Sequence, residues 1–331
     1  MKIIVDAMGG DFAPAACVDG ALRANRESGT EIVLVGREDA IRAALREQGV
    51  GELPQGISIL HASETVEIED DPATAFKRKK DSSLTVGLTL LRDGGGDAFV
   101  SAGSTGALLA GATLLVKRVH GVRRAALAPI LPTDTGRMVL LDCGANAECS
   151  VEYLCQFALL GSEYAKSALG LESPRVGLLN IGSEPSKGDT LRRETYAALT
   201  AAEGLNFVGN VEAKEAMLGA CDVLVADGFA GNVLLKTVEG SGKLMAHKLK
   251  AMFRKNLRTK LAYLLLKDDF AAFKKLLDPN EVGGTALLGI SRPVIKAHGA
   301  SNGYAFARAI DQASAVAAAQ NAAAEEKGAN S

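Results

Sequence analysis

The feature that most constrains this chain is an alternation, kept from the first residues onward, of short apolar runs with stretches of helical periodicity. Strands are predicted at 2–6, 31–35, 57–60, 97–101, 137–142, 174–180, 206–210 and 222–226. Several, such as Ile32-Val33-Leu34-Val35 and Val139-Leu140-Leu141, are apolar without a break, as strands covered on both faces must be. Helices are predicted at 14–28, 37–48, 84–93, 104–117, 150–168 and 188–203. Repeated strand–helix–strand units favour parallel pairing, because each crossover returns the chain to the same edge. The expected class is α/β: a doubly wound, mostly parallel sheet with helices on both faces. Residues 1–321 are expected to form one domain, and the small, polar residues 322–331 a frayed tail.

One stretch breaks the alternation. Residues 241–278 read as two consecutive amphipathic helices with a turn near 256–260, a hairpin arm projecting from the α/β body. Met245, Leu249, Met252, Phe253 and Leu257 keep helical spacing in the first helix; Leu261, Leu265, Ala272, Phe273 and Leu276 keep it in the second. The first also carries Lys243, Lys248, Lys250, Arg254, Lys255, Arg258 and Lys260 with no acidic residue. A basic amphipathic helix of this kind can lie on an anionic membrane, with Leu257, Leu261 and Leu264 as an apolar tip. Its apolar faces can equally pair with each other and with the arm of a second copy, as a four-helix bundle.

Composition removes other classes. A net charge of −2 argues against nucleic acid as a partner. The opening apolar segment Ile3-Ile4-Val5 is too short for a signal peptide, and no apolar stretch approaches a membrane span, so a cytosolic protein is expected. The 5 cysteines form no C-x-x-C pair and, with 4 scattered histidines, no metal pattern, so no metal and no cofactor are expected.

In sheets of this kind ligands sit beyond the carboxyl ends of the strands. Five such ends carry glycines, hydroxyls, Asp and Asn: Asp6 to Asp11 with Gly9 and Gly10, Ser101 to Gly106, Asp142 to Asn146, Asn180 to Gly188, and Asp227 to Asn232. Ser101, Gly103, Ser104 and Thr105 lead into an apolar helix, where backbone N–H groups bind an anion; a serine N-cap would also account for Ser104 or Thr105. Asn180, Ser183, Ser186 and Lys187 precede a helix expected to start near Gly188. A lysine at a helix start opposes the macrodipole, which marks Lys187 as a candidate for a reacting anion, unless it is an exposed loop lysine. Asn232 offers a donor and an acceptor without titrating, and Asp142, Asn146 and Asp227 repeat that chemistry. His298 lies at the rim or is structural. No G-x-G-x-x-G, Walker A or G-x-S-x-G motif is present.

Taken in order, these loops, with Lys296-Ala-His-Gly-Ala-Ser-Asn302, resemble the bacterial phosphate acyltransferase family of phospholipid synthesis (acyl-ACP:phosphate acyltransferase, the PlsX family) from residue 3 to about 320. The resemblance implies a fold like that of phosphotransacetylases and isocitrate-type dehydrogenases, a homodimer and a long-chain acyl carrier protein (ACP) thioester donor. It further implies an acyl phosphate product consumed by a membrane-bound glycerol-3-phosphate acyltransferase. The chemistry fits the residues. Inorganic phosphate is its own nucleophile, so no activated serine or cysteine is needed. A thiol leaving group, with a pKa of about 8.5, demands little acid catalysis. What remains is to hold the anion against a carbonyl and stabilise the oxyanion, the roles expected of Lys187 and Asn232. Carrier proteins are acidic, so docking is expected on the basic run that includes Arg118, Arg123 and Arg124. The rival within the same chemistry is a short-chain phosphotransacylase using acyl-CoA.

Overall fold

The computed structural model describes residues 1–276 and 283–329. It is an α/β structure in which the strands divide between two sheets. The first holds β1 (Lys2–Asp6), β2 (Glu31–Gly36), β3 (Ile57–His61), β4 (Ala98–Ser101), β5 (Ala126–Ala128), β11 (Gly284–Leu288) and β12 (Val294–Ala297), in the order β3-β2-β1-β4-β12-β11-β5. All its pairings are parallel except those made by β11. The second holds β6 (Ile130–Thr133), β7 (Gly136–Leu141), β8 (Val176–Asn180), β9 (Phe207–Glu212) and β10 (Val223–Val225), in the order β6-β7-β10-β8-β9, with only β6 antiparallel.

Period-two alternation explains how both faces of each sheet are covered. Ile3 and Val5 point into one apolar cluster with Val139, Leu141 and Phe157, while Ile4 joins Phe99, Met138 and Leu140 in the other. Each cluster thus draws on both sheets. The helices approach the sheets and each other closely because glycines replace side chains at the contacts. A Cβ at Gly87 of α4 (Ser83–Arg92) would fall 2.3 Å from the Phe99 ring. At Gly20 of α1 (Ala15–Ser28) it would fall 2.6 Å from Phe306 of the C-terminal helix α12 (Gly303–Ala329). Residues 322–329, expected as a frayed tail, continue α12; their alanine-rich composition favours helix.

The remaining helices are α2 (Glu38–Glu47), α3 (Ala75–Arg78), α5 (Thr105–Gly111, continued by a π-helical turn Ala112–Val116), α6 (Val151–Leu169), α7 (Thr190–Thr200), α8 (Ala213–Met217) and α9 (Gly228–Phe253), followed by the arm. The arm differs from the expected two-helix hairpin. α9 begins at the second sheet and runs unbroken for 26 residues before the chain turns at Arg254–Asn256. There Asn256 and Thr259 form a reciprocal capping box that starts α10 (Leu257–Leu265). A second break at Leu266 starts α11 (Lys267–Leu276), with Asp268 and Asp269 in its favourable first turn. Phe253, Tyr263 and Phe270 hold the folded arm together, with Phe253 and Phe270 edge to face at 4.4 Å between centroids. Residues 277 and 278 of the expected arm lie outside the described residues. Among the described residues no helix is long and apolar enough to cross a membrane.

Candidate active site

β1, β4 and β12 are parallel neighbours, with Val5 opposite Val100 and Lys296 opposite Ser101, so their carboxyl ends form one rim. Asp6 is buried there. Its carboxylate accepts a hydrogen bond from Ser101 Oγ at 2.7 Å and from the Met8 N–H at 3.1 Å, while Ser101 Oγ accepts from the Gly103 N–H at 3.1 Å. Burial still raises the Asp6 carboxyl above its ordinary value. The loops after β1 and β4 touch through backbone. A Cβ at Gly9 would fall 2.7 Å from the Gly103 nitrogen, and Gly10, at φ +103°, has a conformation that side chains rarely adopt.

Sequence reasoning did not single out Lys296. This residue lies in β12, a strand otherwise built of Val294, Ile295 and Ala297, and its Nζ donates to the carbonyls of Ala102, at 3.3 Å, and Ala297. Burial lowers its pKa to about 8, opposed by Asp6 and Asp11 and reinforced by Lys236 of α9. The legible signal was one charge inside an apolar strand, a placement that is costly without a purpose. His298 follows on the surface, its Nδ1 accepting from the Ala300 N–H at 3.1 Å.

The second rim, at the ends of β7, β8 and β10, is built differently. Asp142 accepts hydrogen bonds from the N–H groups of Leu127, Cys143, Ala145 and Asn146 and from the Asn146 amide, at 2.6–3.3 Å. It is fully buried and organises its loop, and through Leu127 it ties this rim to β5 of the first sheet. Asn146 also donates to the Ala125 carbonyl, and Asn232 Nδ2 donates to the Cys143 carbonyl at 3.0 Å. Asp227 caps α9 and pairs with Arg192, which also holds Asp189 at 2.8 Å.

Lys187 is placed otherwise than its loop led us to expect. α7 begins at Thr190, not near Gly188, and its N-cap is Asp189, whose carboxylate accepts the Arg192 N–H. The carboxylate cap already answers the dipole, and Lys187 sits two residues ahead of that cap in a turn closed by Asn180 Nδ2 donating to the Lys187 carbonyl. Its side chain is 47% exposed, 3.9 Å from Glu184, and Ser183 and Ser186 are exposed beside it. The three helix starts therefore differ in kind. α7 and α9 already hold carboxylates, whereas α5 is capped by neutral Ser104, with exposed Thr105 next to it. Of these three, α5 retains its partial positive charge for an outside anion.

α9 connects the rims, since Lys236 acts electrostatically on both Cys143 and Lys296. Beyond it, a cleft of about 1150 Å³ runs between the distal half of α9, the arm and the His298–Ala300 turn. Leu249, Phe253, Tyr263 and Phe270 give it an apolar lining, and Lys243, His247 and Lys250 give it basic groups. The thiols carry no ready nucleophile. Burial pushes Cys149 up to about 11 and Cys221 to about 12, and raises Cys17, Cys143 and Cys155 as well. Among the described residues no group of three or more His, Cys, Asp and Glu could hold a metal ion.

The basic run lies where β5 approaches the start of α6. Arg118 donates to the Arg123 carbonyl, Arg123 pairs with Glu152 at 3.1 Å, and Arg124 lies over the Tyr153 ring. Leu257, Leu261 and Leu264 are exposed at the arm's far end, at 83%, 60% and 65%.

A sequence model of the family described as "Fatty acid synthesis protein" matches residues 1–324. The phosphate acyltransferase of Thermoanaerobacterium thermosaccharolyticum is 43% identical over 316 residues, which cover 96% of this chain and 93% of that protein. That of Caldanaerobacter subterraneus subsp. tengcongensis is 44% identical over 314 residues, covering 95% and 92%. A solved phosphotransacetylase from Streptococcus pyogenes shares the fold, with a TM-score of 0.62 at 18% identity over 97% of this chain and 93% of that one. By this similarity along nearly its whole length, the chain belongs to the phosphate acyltransferase family and is an acyltransferase that moves an acyl group onto phosphate.

Proposed function

We propose that the enzyme transfers a long-chain fatty acyl group from an acyl carrier protein thioester to inorganic phosphate. A phosphate oxygen attacks the thioester carbonyl, the tetrahedral oxyanion collapses, and the carrier thiol leaves with its proton supplied from solvent. The observation that carries this reading is the neutral-capped N-terminus of α5 on the rim whose His298–Ala300 turn lines a large apolar cleft. At about 1150 Å³ the cleft exceeds the roughly 300–1,000 Å³ of ordinary small-molecule pockets. A two-carbon acyl group would leave such a cleft largely unfilled. Ser104 and Thr105 hold the phosphate beside Gly9 and Gly10, with Ser101, bonded to Asp6 and to Gly103, fixing the loop that presents them. Lys187 and Asn232, on the opposite rim, meet the oxyanion.

The carrier docks at Arg118, Arg123 and Arg124. The Arg123–Glu152 pair dilutes that charge, so steering is moderate and weakens with salt. The arm pairs with that of a second copy in a homodimer and brings its tip to the anionic inner face of the cell membrane. There the labile acyl phosphate passes to a membrane-bound glycerol-3-phosphate acyltransferase in phospholipid synthesis. What supports this is the exposure of Leu257, Leu261, Leu264 and Leu265 beside seven basic residues.

Purified enzyme given phosphate with palmitoyl-ACP, palmitoyl-CoA or acetyl-CoA in turn should form acyl phosphate fastest from the carrier donor, with a KM that rises with salt. A preference for acetyl-CoA would establish the short-chain alternative. In vesicle co-sedimentation, wild type should bind anionic vesicles, and the dimeric Leu261→Glu, Leu264→Glu double variant should bind several-fold less. Equal binding would remove the tip as the anchor.

A further inference from the structure

We propose that Lys296 is a further catalytic residue, the cation that holds the reacting phosphate where the β1 and β4 loops meet; this rests on the acyl-to-phosphate reading above. Three observations converge there. First, the Lys296 ammonium is fixed by neutral acceptors: two of its three donors go to the Ala102 and Ala297 carbonyls. Among the described residues the third has no acceptor and no carboxylate lies within ion-pair distance of it. Second, Ala102 belongs to the loop that opens α5, so the ammonium and the neutral-capped helix start lie within one short turn of chain. Third, glycines let the strand-end loops close on one another as bare backbone, since a Cβ would clash at Gly9 with Gly103 and at Gly10 with Ala102 and Gly299. A positive charge, an uncompensated helix N-terminus and side-chain-free backbone together describe a receptor for a small polyanion.

The surrounding charges set when that receptor is occupied. Asp6 from β1 and Asp11 from the β1–α1 loop face the ammonium and favour its charged form; Lys236 from α9 opposes it. Asp6 is itself engaged by Ser101 and Met8, and Lys236 by Glu239 at 2.8 Å, so neither closes on Lys296. With burial bringing the ammonium down to about 8, the free enzyme loses this charge just above neutrality. Bound phosphate would hold the proton on, so the loss registers in phosphate capture rather than in the step that follows.

The test is steady-state kinetics at saturating acyl donor with phosphate varied between pH 6.5 and 9.5. In wild type, kcat/KM for phosphate should fall above about pH 8. Lys296→Met should lower it about 10²-fold or more, chiefly through KM for phosphate, and abolish that alkaline fall. Lys296→Arg should recover much of the loss and move the fall to higher pH, because a guanidinium stays charged. A methionine variant with wild-type phosphate KM would overturn the proposal. So would an arginine variant whose alkaline limb stays in place, a readout available even where the methionine variant fails to fold. If wild type forms no acyl phosphate from any donor, the functional reading fails instead. Calorimetric titration with inorganic phosphate then decides the site alone: binding by wild type but not by the methionine variant supports it, and equal binding or none in wild type rejects it.

Discussion

The two rims linked by α9 use similar residue types to opposite ends. At the second rim the charges are consumed by the protein. Asp142 takes up five donors of its own neighbourhood, and Arg192 joins the carboxylate caps of two helices. At the first rim Lys296 is half-buried against carbonyls without a bonded counter-ion among the described residues, and α5 starts on a neutral cap. A satisfied polar network rigidifies a site, whereas an unsatisfied charge is a standing cost that a ligand can relieve. The difference teaches that the Asp142 and Arg192 networks of the second rim hold shape, while the first rim is left with charge that the reading proposed above gives to substrate, and each half of that statement can be broken by substitution.

The largest effect belongs to Asp142. Removing its carboxylate strands the buried N–H groups of Leu127 and Cys143 and that of Asn146, each worth about 1–3 kcal/mol when left unpaired. Asp142→Ala should therefore lose roughly 3–5 kcal/mol in denaturant unfolding. A loss below about 1 kcal/mol would mean the loop is held by something else.

Lys296→Met should move stability the other way. A lysine whose folded pKa lies near 8 rather than 10.5 binds fewer protons folded than unfolded across that window. Wild-type stability should accordingly rise as pH climbs from about 8 towards 10.5, and the charge should cost about 3 kcal/mol at neutral pH. Lys296→Met should lose that pH dependence and unfold at a higher temperature at pH 7 while losing activity, the trade-off of a site charge kept for function. A variant less stable than wild type at pH 7 would make Lys296 structural and erase the contrast between the rims.

Much of this was legible in the sequence, and the gaps have physical causes. Eight strands were found because parallel strands buried on both faces are continuously apolar, as in Ile32 to Val35. β5, β6 and β11 were missed, since each makes antiparallel pairs with no crossover helix to announce them, and β12 was given no bounds. The five loops were legible as strand ends, but the roles within them were not. Whether Asp142 faces a ligand or its own loop depends on N–H groups up to 15 residues away, and the Arg192–Asp227 pair spans 35. Lys296 was overlooked because attention to loops discounts a residue inside a strand. The arm's apolar spacing marked helices there, while the start of the first at Gly228 and the break at the Asn256–Thr259 capping box are local signals that periodicity does not carry.

The smallest structural effect sharpens the comparison most. Lys187 belongs to the second rim yet shares none of its network: its ammonium is half exposed, and its one carboxylate neighbour, Glu184, is 3.9 Å away and itself exposed. Such a pair contributes little to folding, so Lys187→Ala should leave stability within about 0.5 kcal/mol of wild type. In the reading proposed above this exposed ammonium meets the charge that develops on the thioester oxygen, a contact that forms only as the tetrahedral state does. Losing it should therefore lower kcat about 10²-fold and leave KM for phosphate unchanged, the reverse of the pattern expected at Lys296. A change in phosphate KM with kcat intact would place Lys187 on the nucleophile and end the division of labour between the rims. Unchanged turnover in a normally folded variant would leave the second rim purely architectural and pass the oxyanion to Asn232, whose remaining amide hydrogen is the next donor along that edge.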